Sequence, residues 1–476
     1  MMQINKKIMR VAFIFLIIDE AQPIFSKLSE NSDVKFKNKL GIRPKLGLEY
    51  LCAALKEKHI ECEIYDQELI NFSSQKLIDF LQRDNIDLAG FQVVSRNIKS
   101  TIYFIQEIRK NSSIPIIAGG AGCYHYNELI KGGCDIVCLG EGDEAIIDIV
   151  NYYEGKMRLE EIKGIAHYNI KIQDITTTPV RPQIDNLDKL PFPLRTLESI
   201  KRYFDYLVYP AKRPCLTMIA SRGCPYRCSY CYSPSFWMGT YRQRSVENVI
   251  EEIKRAVYEF HIKSVQFIDD IFVVDFNWLR EFCHKFERAN LDLTWTCYLH
   301  PLSFRERRKE AFIMMKRAGC EMISFGAQSS DSEILKRINR EHAEPEELRK
   351  AIYQAKSMKI TTVVCYIFGL PGETVNTIQK NFDFCLQTKP HLIFLNPLDL
   401  IPFCELAIKY EGREKDISIL SQKEIAQLST KYTRKYYFKP EITIQLLMDI
   451  LNKNPLRLFK FIRNPFYLWK KMSYLN

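Results

Sequence analysis

The sequence predicts an α/β protein made of a doubly wound, Rossmann-like N-terminal domain, a partial (β/α)6 barrel and a helical C-terminal extension. Apolar strand segments alternate with amphipathic helical segments through the first 155 residues, and a second alternating series begins near residue 214. From about residue 415 the pattern becomes helical and basic. These three observations predict domains at 1–155, 214–410 and 411–476, with residues 156–213 as a connector.

The strand candidates of the N-terminal series alternate with helix candidates. This order predicts an open parallel sheet covered by helices on both faces, and such sheets bind ligands beyond the carboxyl ends of their strands. Polar or glycine-rich segments follow four of the strands and mark that edge. The strand candidates are Val11–Ile18, Glu61–Tyr65, Leu88–Val94, Ile114–Ala118 and Ile136–Leu139, and the segments are 19–44, 95–97, 119–122 and 140–143.

The first strand candidate also has a secretory alternative. Val11–Ile18 follows basic residues, as the apolar part of a signal peptide would. It is short, ends at Asp19 and Glu20, and has no small-residue cleavage site after it. We therefore expect a buried strand at this position.

Six strand candidates in the second series predict the partial barrel. The chemistry of such barrels lies at the C-terminal ends of their strands. In the connector, several prolines break regular structure, and Gly164–Ile170 is expected to form part of a hairpin. The barrel strand candidates are Leu216–Ala220, Ser264–Ile268, Leu293–Cys297, Met322–Phe325, Thr362–Phe368 and Leu392–Asn396.

The composition is typical of a globular protein in a reducing compartment. Apolar and charged residues make up 46% and 26% of the chain, and no segment has the apolar length of a membrane span. Fifteen cysteines, an odd number scattered over a long chain, argue against a disulfide scaffold and favour the cytoplasm. The net charge of +11 is not concentrated in a recognisable nucleic-acid-binding module, so no nucleic-acid partner is expected.

The end of the chain interleaves basic and aromatic residues. Residues 452–476 contain six lysines and arginines and no acid. An interfacial helix with peripheral membrane contact has this composition. A helical cap on the barrel is the favoured alternative, because Pro455 and Pro465 interrupt any long helix.

Three cysteines carry the strongest chemical signal. Cys224, Cys228 and Cys231 stand in a C-x3-C-x2-C loop just beyond the first barrel strand candidate. Thiolates are soft ligands that favour zinc or iron–sulfur clusters. A structural zinc site needs four ligands, commonly from two separated pairs, and no second C-x2-C pair occurs. Three cysteines instead leave one iron of a [4Fe–4S] cluster without a protein ligand.

This loop resembles the signature of the radical S-adenosylmethionine (SAM) enzymes. The similarity covers Ser221–Tyr232 and includes an aromatic residue, Tyr230, just before the last cysteine, for which the resemblance implies a SAM contact. The resemblance implies that SAM binds the open iron through its amino and carboxylate groups. An electron from the cluster then cleaves SAM to methionine and a 5′-deoxyadenosyl radical.

An acidic pair resembles the family's second-strand motif. In Phe267–Asp270, the resemblance implies that Asp269 and Asp270 hold the methionyl ammonium of SAM, since carboxylates accept strong hydrogen bonds from ammonium groups. A helix N-cap is the structural alternative for Asp270.

Other segments resemble later family motifs, and one position departs from them. The resemblance implies SAM contacts at Gln328 in the fourth-strand motif, at Gly369 in the fifth-strand motif, and at Arg244, whose guanidinium suits the SAM carboxylate. Many relatives have glutamate where Gln328 stands. Relatives also often have an arginine near the end of the third barrel strand, where this chain has Tyr298-Leu299-His300.

The N-terminal half resembles the cobalamin-binding domain of one large radical SAM subgroup. The similar segments are 44–51, 119–120 and 140–144. Glycines there would let the backbone approach a flat corrinoid. The resemblance implies cobalamin contacts at Leu46, Gly47, Ser95, Gly119, Gly120, Gly140, Glu141 and Gly142.

No histidine is expected on the cobalt. Some cobalamin domains supply one from an Asp-x-His-x-x-Gly motif, but here Asp66 is followed by Glu68 at the histidine position and Asn71 at the glycine position. His125 lies close behind Gly120, and we expect it to be a helix-start residue.

The resemblance implies methyl transfer to an unactivated carbon as the first hypothesis for function. A radical cyclase of the same family is the second. A cobalamin-binding sensor or carrier with a structural Fe–S cluster is the hypothesis from another class. The expected partners are a small-molecule or lipid-like substrate and an electron donor such as flavodoxin or ferredoxin. The sequence does not identify the substrate.

Overall fold

The computed structural model describes residues 9–17, 43–204, 212–340, 342–401, 403–413 and 416–453. The chain divides into two compact units, Met1–Tyr203 and Phe204–Asn476. Most of the predicted loop 19–44 and almost all of the basic, aromatic tail lie outside the described residues. In the described part of the chain, no helix is long and apolar enough to cross a membrane.

The first unit contains a seven-stranded sheet in the order β2-β1-β3-β4-β5-β6-β7. Its first five strands are parallel, as predicted, and β6 and β7 are antiparallel. The strands are β1 Arg10–Phe15, β2 Glu61–Asp66, β3 Leu88–Gln92, β4 Ile116–Gly119, β5 Ile136–Cys138, β6 Ile165–Asn169 and β7 Asp174–Thr177. The α-helices are Leu46–Glu57, Ser74–Arg83, Ile98–Asn111, Tyr126–Lys131, Gly142–Tyr153 and Leu197–Phe204.

Burial of β1 on both faces explains its continuous apolar sequence. Ala12 and Ile14 belong to one core cluster, which also contains residues from helices Ser74–Arg83 and Ile98–Asn111. Val11, Phe13 and Phe15 belong to the core cluster on the other face. A strand covered on both sides has no polar face. Its sequence is therefore continuously apolar and does not alternate between apolar and polar residues.

The connector hairpin differs from its expected place. It is present as β6 and β7, but β6 pairs with β5, so the hairpin extends the sheet of the first unit. Ile165 and Ala166 are fully buried in this position. The pairing provides hydrogen-bond partners for the backbone N–H and C=O groups of β5, which would otherwise be the edge strand of the sheet. Sequence alternation alone did not show which sheet the hairpin would join.

The second unit contains the predicted six parallel strands, ordered β15-β14-β13-β12-β11-β8. A small antiparallel pair, β9 and β10, follows β8. The strands are β8 Cys215–Met218, β9 Ser221–Gly223, β10 Tyr241–Gln243, β11 Ser264–Phe267, β12 Thr294–Leu299, β13 Cys320–Gln328, β14 Thr361–Phe368 and β15 Leu392–Pro397.

Helices separate these strands and complete the unit. Because spatial order follows chain order and the strands are parallel, all six carboxyl ends lie at one edge of the sheet. The segments expected to carry chemistry follow those ends. The helices are Ser233–Phe236, Val246–Phe260, Phe276–Ala289, Arg308–Arg317, Ser332–Arg337, Pro345–Ser357, Val375–Thr388, Glu405–Lys409, Gln422–Tyr437 and Pro440–Lys453.

Candidate active site

The three signature cysteines follow β9 at the carboxyl edge of the barrel sheet. Cys228 is buried, whereas Cys224 and Cys231 are partly exposed. Backbone N–H groups donate to two of the sulfurs, from Tyr226 to Cys224 and from Ser233 to Cys231, the latter over 3.4 Å. Such donors stabilise sulfur in its charged form.

Burial raises the pKa of the Cys224 thiol to about 11 and that of Cys231 to about 12. Thiolates at these positions therefore need positive charge beside them, which cluster iron supplies. Among the described residues, no three or more histidine, cysteine or acidic side chains are arranged to hold a single metal ion. In a four-iron cluster each cysteine binds a different iron, so the three sulfurs do not converge on one ion. The donor set fits a [4Fe–4S] cluster.

Arg340 is a site residue that the sequence did not reveal. Its Nη1 donates to Cys228 Sγ over 3.1 Å, and its Nη2 donates to the carbonyl oxygen of Gly326 over 2.7 Å. The residue is 5% exposed, and its Nε is buried without a hydrogen-bond partner. A buried guanidinium therefore lies directly against one expected cluster ligand.

Asp269 ties the end of β11 to the start of the cysteine loop. Its Oδ1 accepts hydrogen bonds from the backbone N–H groups of Ala220 and Ser221, over 2.8 and 2.5 Å, and from the Ser221 hydroxyl over 2.7 Å. Its Oδ2 is buried and has no hydrogen-bond partner. Burial raises the pKa of Asp269 to about 7, although these donors oppose that rise. One carboxylate oxygen is thus held in place and the other remains an acceptor.

Asp270 has different hydrogen-bond partners from those of Asp269. Its carboxylate accepts hydrogen bonds from the Tyr232 hydroxyl (2.7 Å), the Ser233 hydroxyl (3.0 Å) and the Trp237 indole N–H (2.8 Å). The alternative that Asp270 caps a helix is wrong, because Asp275 caps the helix that follows. Asp270 instead anchors the chain just beyond the last cysteine. Both of its oxygens accept hydrogen bonds from this segment, so the structure favours Asp269 over Asp270 for the expected contact with the SAM ammonium.

Tyr230 packs into apolar surroundings. It contacts the core cluster formed by Ile334, Leu335, Ile338 and Leu370. It also contacts the cluster of Cys404, Leu406 and Ile417. These contacts hold the cysteine loop against the barrel, and a SAM contact at Tyr230 stays a prediction.

The expected SAM contacts on later strands are structurally distinct. Gln328 ends β13 with a left-handed backbone, at φ 66°. Gly369 follows β14 at φ 91°, where an added Cβ would lie 2.7 Å from Ile425 Cδ1, so this turn requires glycine. Its N–H donates to the buried carboxylate of Glu373 over 2.5 Å. The turn is well defined, and ligand contact there stays a prediction.

Arg244 is a correction to the sequence-based expectation. Its guanidinium forms a buried ion pair with Glu252 at 2.5 Å. It also donates to the Ile219 carbonyl oxygen and to Asn248. Because these contacts engage all three nitrogens inside the unit, the structure does not support its expected pairing with a SAM carboxylate.

His300 ends the segment Tyr298-Leu299-His300, in which the family resemblance led us to expect an arginine. Its Nδ1 accepts from the Leu302 backbone N–H over 3.2 Å, which places the ring hydrogen on Nε2. Burial, followed by the charges of Arg340 and His342, lowers its pKa below the usual range, so the ring is neutral. The ring stacks on Tyr226 of the cysteine loop, with centroids 3.9 Å apart. Its Nε2 is buried and unpartnered, which leaves a neutral donor next to the loop.

The expected cobalamin residues all lie at the carboxyl edge of the first unit's sheet. Leu46 and Gly47 begin the first helix, and a Cβ at Gly47 would lie 3.7 Å from the side chain of Gln92 at the end of β3. Ser95 follows β3 in a short 3-10 turn. Gly119 is the last residue of β4, and the remaining expected residues follow β4 or β5, namely Gly120, Gly140, Glu141 and Gly142.

Two of these glycines have different surroundings. A Cβ at Gly120 would lie 2.7 Å from the Val93 carbonyl oxygen, so this glycine permits two strand ends to pack closely. At Gly140, where φ is 102°, a Cβ would meet no atom within 4 Å. The backbone at Gly140 is therefore accessible, which fits close approach of a corrinoid, whereas Gly120 is needed for packing.

His125 lies at a helix start, as expected. It ends a short 3-10 turn directly before helix Tyr126–Lys131, and its Nδ1 lies 2.8 Å from Glu128.

Asp66, at the end of β2, is a buried acid. Asp66 is 2% exposed and accepts from the Tyr203 hydroxyl over 2.8 Å, with the Lys45 ammonium 3.8 Å away. Burial raises its pKa to about 6. The residue links the edge strand to helix Leu197–Phe204.

Comparison with known proteins defines the class of both units. The model of the radical SAM superfamily matches residues 218–385, and that of the B12 binding domain matches residues 39–150. The chain therefore belongs to the radical SAM enzymes that carry an N-terminal cobalamin-binding domain. This confirms the family and cofactors expected from the sequence, namely a [4Fe–4S] cluster, SAM and cobalamin.

Individual relatives include methyltransferases and a cyclase. A protein of Pyrococcus horikoshii named as an uncharacterised methyltransferase is 27% identical over 72% of this chain and 72% of its own length. The anaerobic magnesium-protoporphyrin IX monomethyl ester cyclase of Cereibacter sphaeroides is 24% identical over 74% of this chain, which spans 58% of the cyclase.

A solved structure shares the fold. TsrM, a radical SAM methyltransferase from Kitasatospora setae solved with cobalamin and a [4Fe–4S] cluster bound, has a TM-score of 0.68 at 17% identity. The match covers 85% of this chain and 75% of TsrM.

Proposed function

We propose that this enzyme transfers a methyl group from SAM, by way of cobalamin, to an unactivated carbon of a small molecule. The observation that carries the proposal is the presence of a radical SAM unit with a C-x3-C-x2-C cysteine loop and a B12 binding domain in one chain. When bound, the cofactors supply a 5′-deoxyadenosyl radical and a transferable methyl group. Relatives named as methyltransferases support the choice of reaction.

The residues of the barrel would hold and orient the radical-generating cofactors. Cys224, Cys228 and Cys231 would bind the cluster and leave one iron open to SAM. The unpartnered Oδ2 of Asp269 would accept a hydrogen bond from the SAM ammonium, since it is a buried acceptor next to the loop. Asp270 would keep the chain after Cys231 in place through its three hydrogen bonds.

In the first unit, the carboxyl edge of the sheet would receive cobalamin. Gly140 would allow the corrinoid to approach the backbone, because nothing occupies the space beside it. The position that supplies a cobalt-binding histidine in some domains holds Glu68, whose carboxylate pairs with Lys45. We therefore propose cobalamin without a protein histidine on cobalt.

We also propose an electron donor, a cellular location and a substrate class for the enzyme. A flavodoxin or ferredoxin would supply electrons in the cytoplasm. The substrate would be a small molecule, and a lipid-like one would suit membrane contact by the tail. A radical cyclase is the second candidate, favoured by the similarity to the cyclase of Cereibacter sphaeroides.

Isotope labelling of the SAM methyl group separates the two candidates. The substrate would first be identified by comparing metabolites of a deletion strain and its parent by mass spectrometry. The reduced holoenzyme should then form 5′-deoxyadenosine and S-adenosylhomocysteine in comparable amounts, with methyl label in the product. A cyclase would form 5′-deoxyadenosine and leave the product unlabelled. Complete turnover without label in the product would contradict methyl transfer.

A further inference from the structure

Arg340 is a buried positive charge with an unusual set of partners. Within the described residues no carboxylate pairs with it, and its hydrogen bonds go to Cys228 Sγ and to the Gly326 carbonyl oxygen. Arginine stays protonated in proteins, and a buried charge needs a compensating partner. The compensation must therefore come from the group that occupies the neighbouring cysteine loop.

The charge of a bound cluster supplies what Arg340 needs. An oxidised [4Fe–4S] core carries two positive charges, and three thiolates bring the net charge to minus one. Uptake of one electron from an external donor makes the net charge minus two. Both states are anionic, and the reduced state is the more anionic. A guanidinium beside a ligand sulfur will therefore stabilise the reduced state more strongly, because attraction is weakly screened in a buried site.

We propose that Arg340 is the counter-ion of the cluster and raises its reduction potential through the hydrogen bond to Cys228. Hydrogen bonds to the sulfurs and net charge are two of the factors that set cluster potentials. Arg340 acts here through Cys228 and is a positioning residue. The proposal rests on the assignment of Cys224, Cys228 and Cys231 as cluster ligands.

The geometry of the loop supports this role. The Ser229 N–H, next to Cys228, donates to the Ile338 carbonyl oxygen over 3.1 Å. The backbone just before Arg340 is thus attached to the cysteine loop, so that the guanidinium and Cys228 keep their separation. The planar fork of arginine bridges Cys228 and the end of β13 in a way that a single ammonium cannot reproduce.

A redox titration of the cluster tests the proposal without SAM or substrate. Wild type, R340Q, R340K and R337Q would be reconstituted anaerobically as full-length holoproteins, and the reduced cluster would be followed by electron paramagnetic resonance. Arg337 is exposed and lies three residues earlier. R337Q therefore removes the same charge where solvent screens it.

R340Q should lower the equilibrium constant for reduction about tenfold, a shift of ~59 mV to lower potential for one electron. R340K should shift it less, since it keeps the charge and loses the fork, and R337Q should match wild type. A wild-type potential in cluster-loaded R340Q, or equal shifts in R340Q and R340K, would overturn the counter-ion role. Loss of the cluster from both Arg340 variants would also overturn it.

Iron content distinguishes an error in the assignment of the three cysteines from an error in the role of Arg340. If wild-type protein loads no four-iron cluster, or if replacement of the three cysteines leaves its iron in place, the cysteine assignment is wrong. If the wild-type cluster is normal and the Arg340 variants leave its potential unchanged, the error lies in the role of Arg340 alone.

Discussion

Asp269 shows how one carboxylate can serve two purposes. Its Oδ1 accepts hydrogen bonds from the Ala220 and Ser221 N–H groups and the Ser221 hydroxyl, at the start of the cysteine loop. Its Oδ2 is buried without a hydrogen-bond partner. We predict that D269N weakens SAM binding about tenfold or more, because a hydrogen bond to a charged group contributes roughly 1.5–3 kcal/mol. Equilibrium dialysis of SAM against the oxidised holoprotein measures this.

Asp270 provides the matched comparison. D270N should lower cluster iron content. The asparagine amide has one acceptor oxygen and a nitrogen that only donates, so it cannot accept all three hydrogen bonds that the carboxylate receives from Tyr232, Ser233 and Trp237. SAM affinity per loaded cluster should stay near that of wild type. Equal SAM affinity in D269N and wild type would exclude Asp269 as the ammonium acceptor.

At the residue scale, local sequence predicted the cysteines and the acidic pair but not the contacts between distant positions. Three cysteines within eight residues define their chemistry by spacing alone. Arg340 is 112 residues from Cys228, and only the fold brings them together. Arg244 shows the converse, because its motif position suggested a ligand while the fold gave it a buried acidic partner.

At the element scale, alternation of apolar segments predicted the five parallel strands of the first unit and all six strands of the second. Strand ends were less well defined, so the first strand ends at Phe15 rather than Ile18. The sheet that β6 and β7 would join was not predicted, because pairing with β5 depends on which edge is open. The alternation of apolar segments thus indicates whether a segment is a strand or a helix more directly than it indicates which strands pair.

The edge strand β2 carries a pH-sensitive group in Asp66. Burial raises the pKa of Asp66 from 3.8 to about 6. The folded state therefore binds this proton more tightly than the unfolded state. The stability contributed by Asp66 is fully present below about pH 4 and is lost as the pH rises through about 6.

We predict that the backbone amides of β2 in wild type lose protection against hydrogen exchange as the pH rises from 5 to 7. The protection is measured relative to D66N at the same pH. Asp84 provides a control, because hydrogen bonds from Arg83 and Tyr65 lower its pKa to about 2. Its ionisation is complete over this range, so the offset between wild type and D84N should stay constant. A constant offset in D66N as well would show that Asp66 has an ordinary pKa.

At the scale of the whole molecule, the two units account for the cofactors and not for the substrate. The loop of three cysteines and the glycine-rich sheet edge each belong to one unit and were each visible in the sequence. We expect substrate choice to depend on side chains without a common motif, such as those of the segment Tyr298-Leu299-His300. Similarity to methyltransferases and to a cyclase cannot specify the substrate.

The most direct test of the account is the reductive cleavage of SAM by full-length protein and by the variants C224A, C228A and C231A. After anaerobic reconstitution and reduction with dithionite, wild type should contain about four irons per chain in the cluster and form 5′-deoxyadenosine from SAM. Each variant should lose cluster iron and form no 5′-deoxyadenosine. Variants that kept the cluster and cleaved SAM at the wild-type rate would contradict the account.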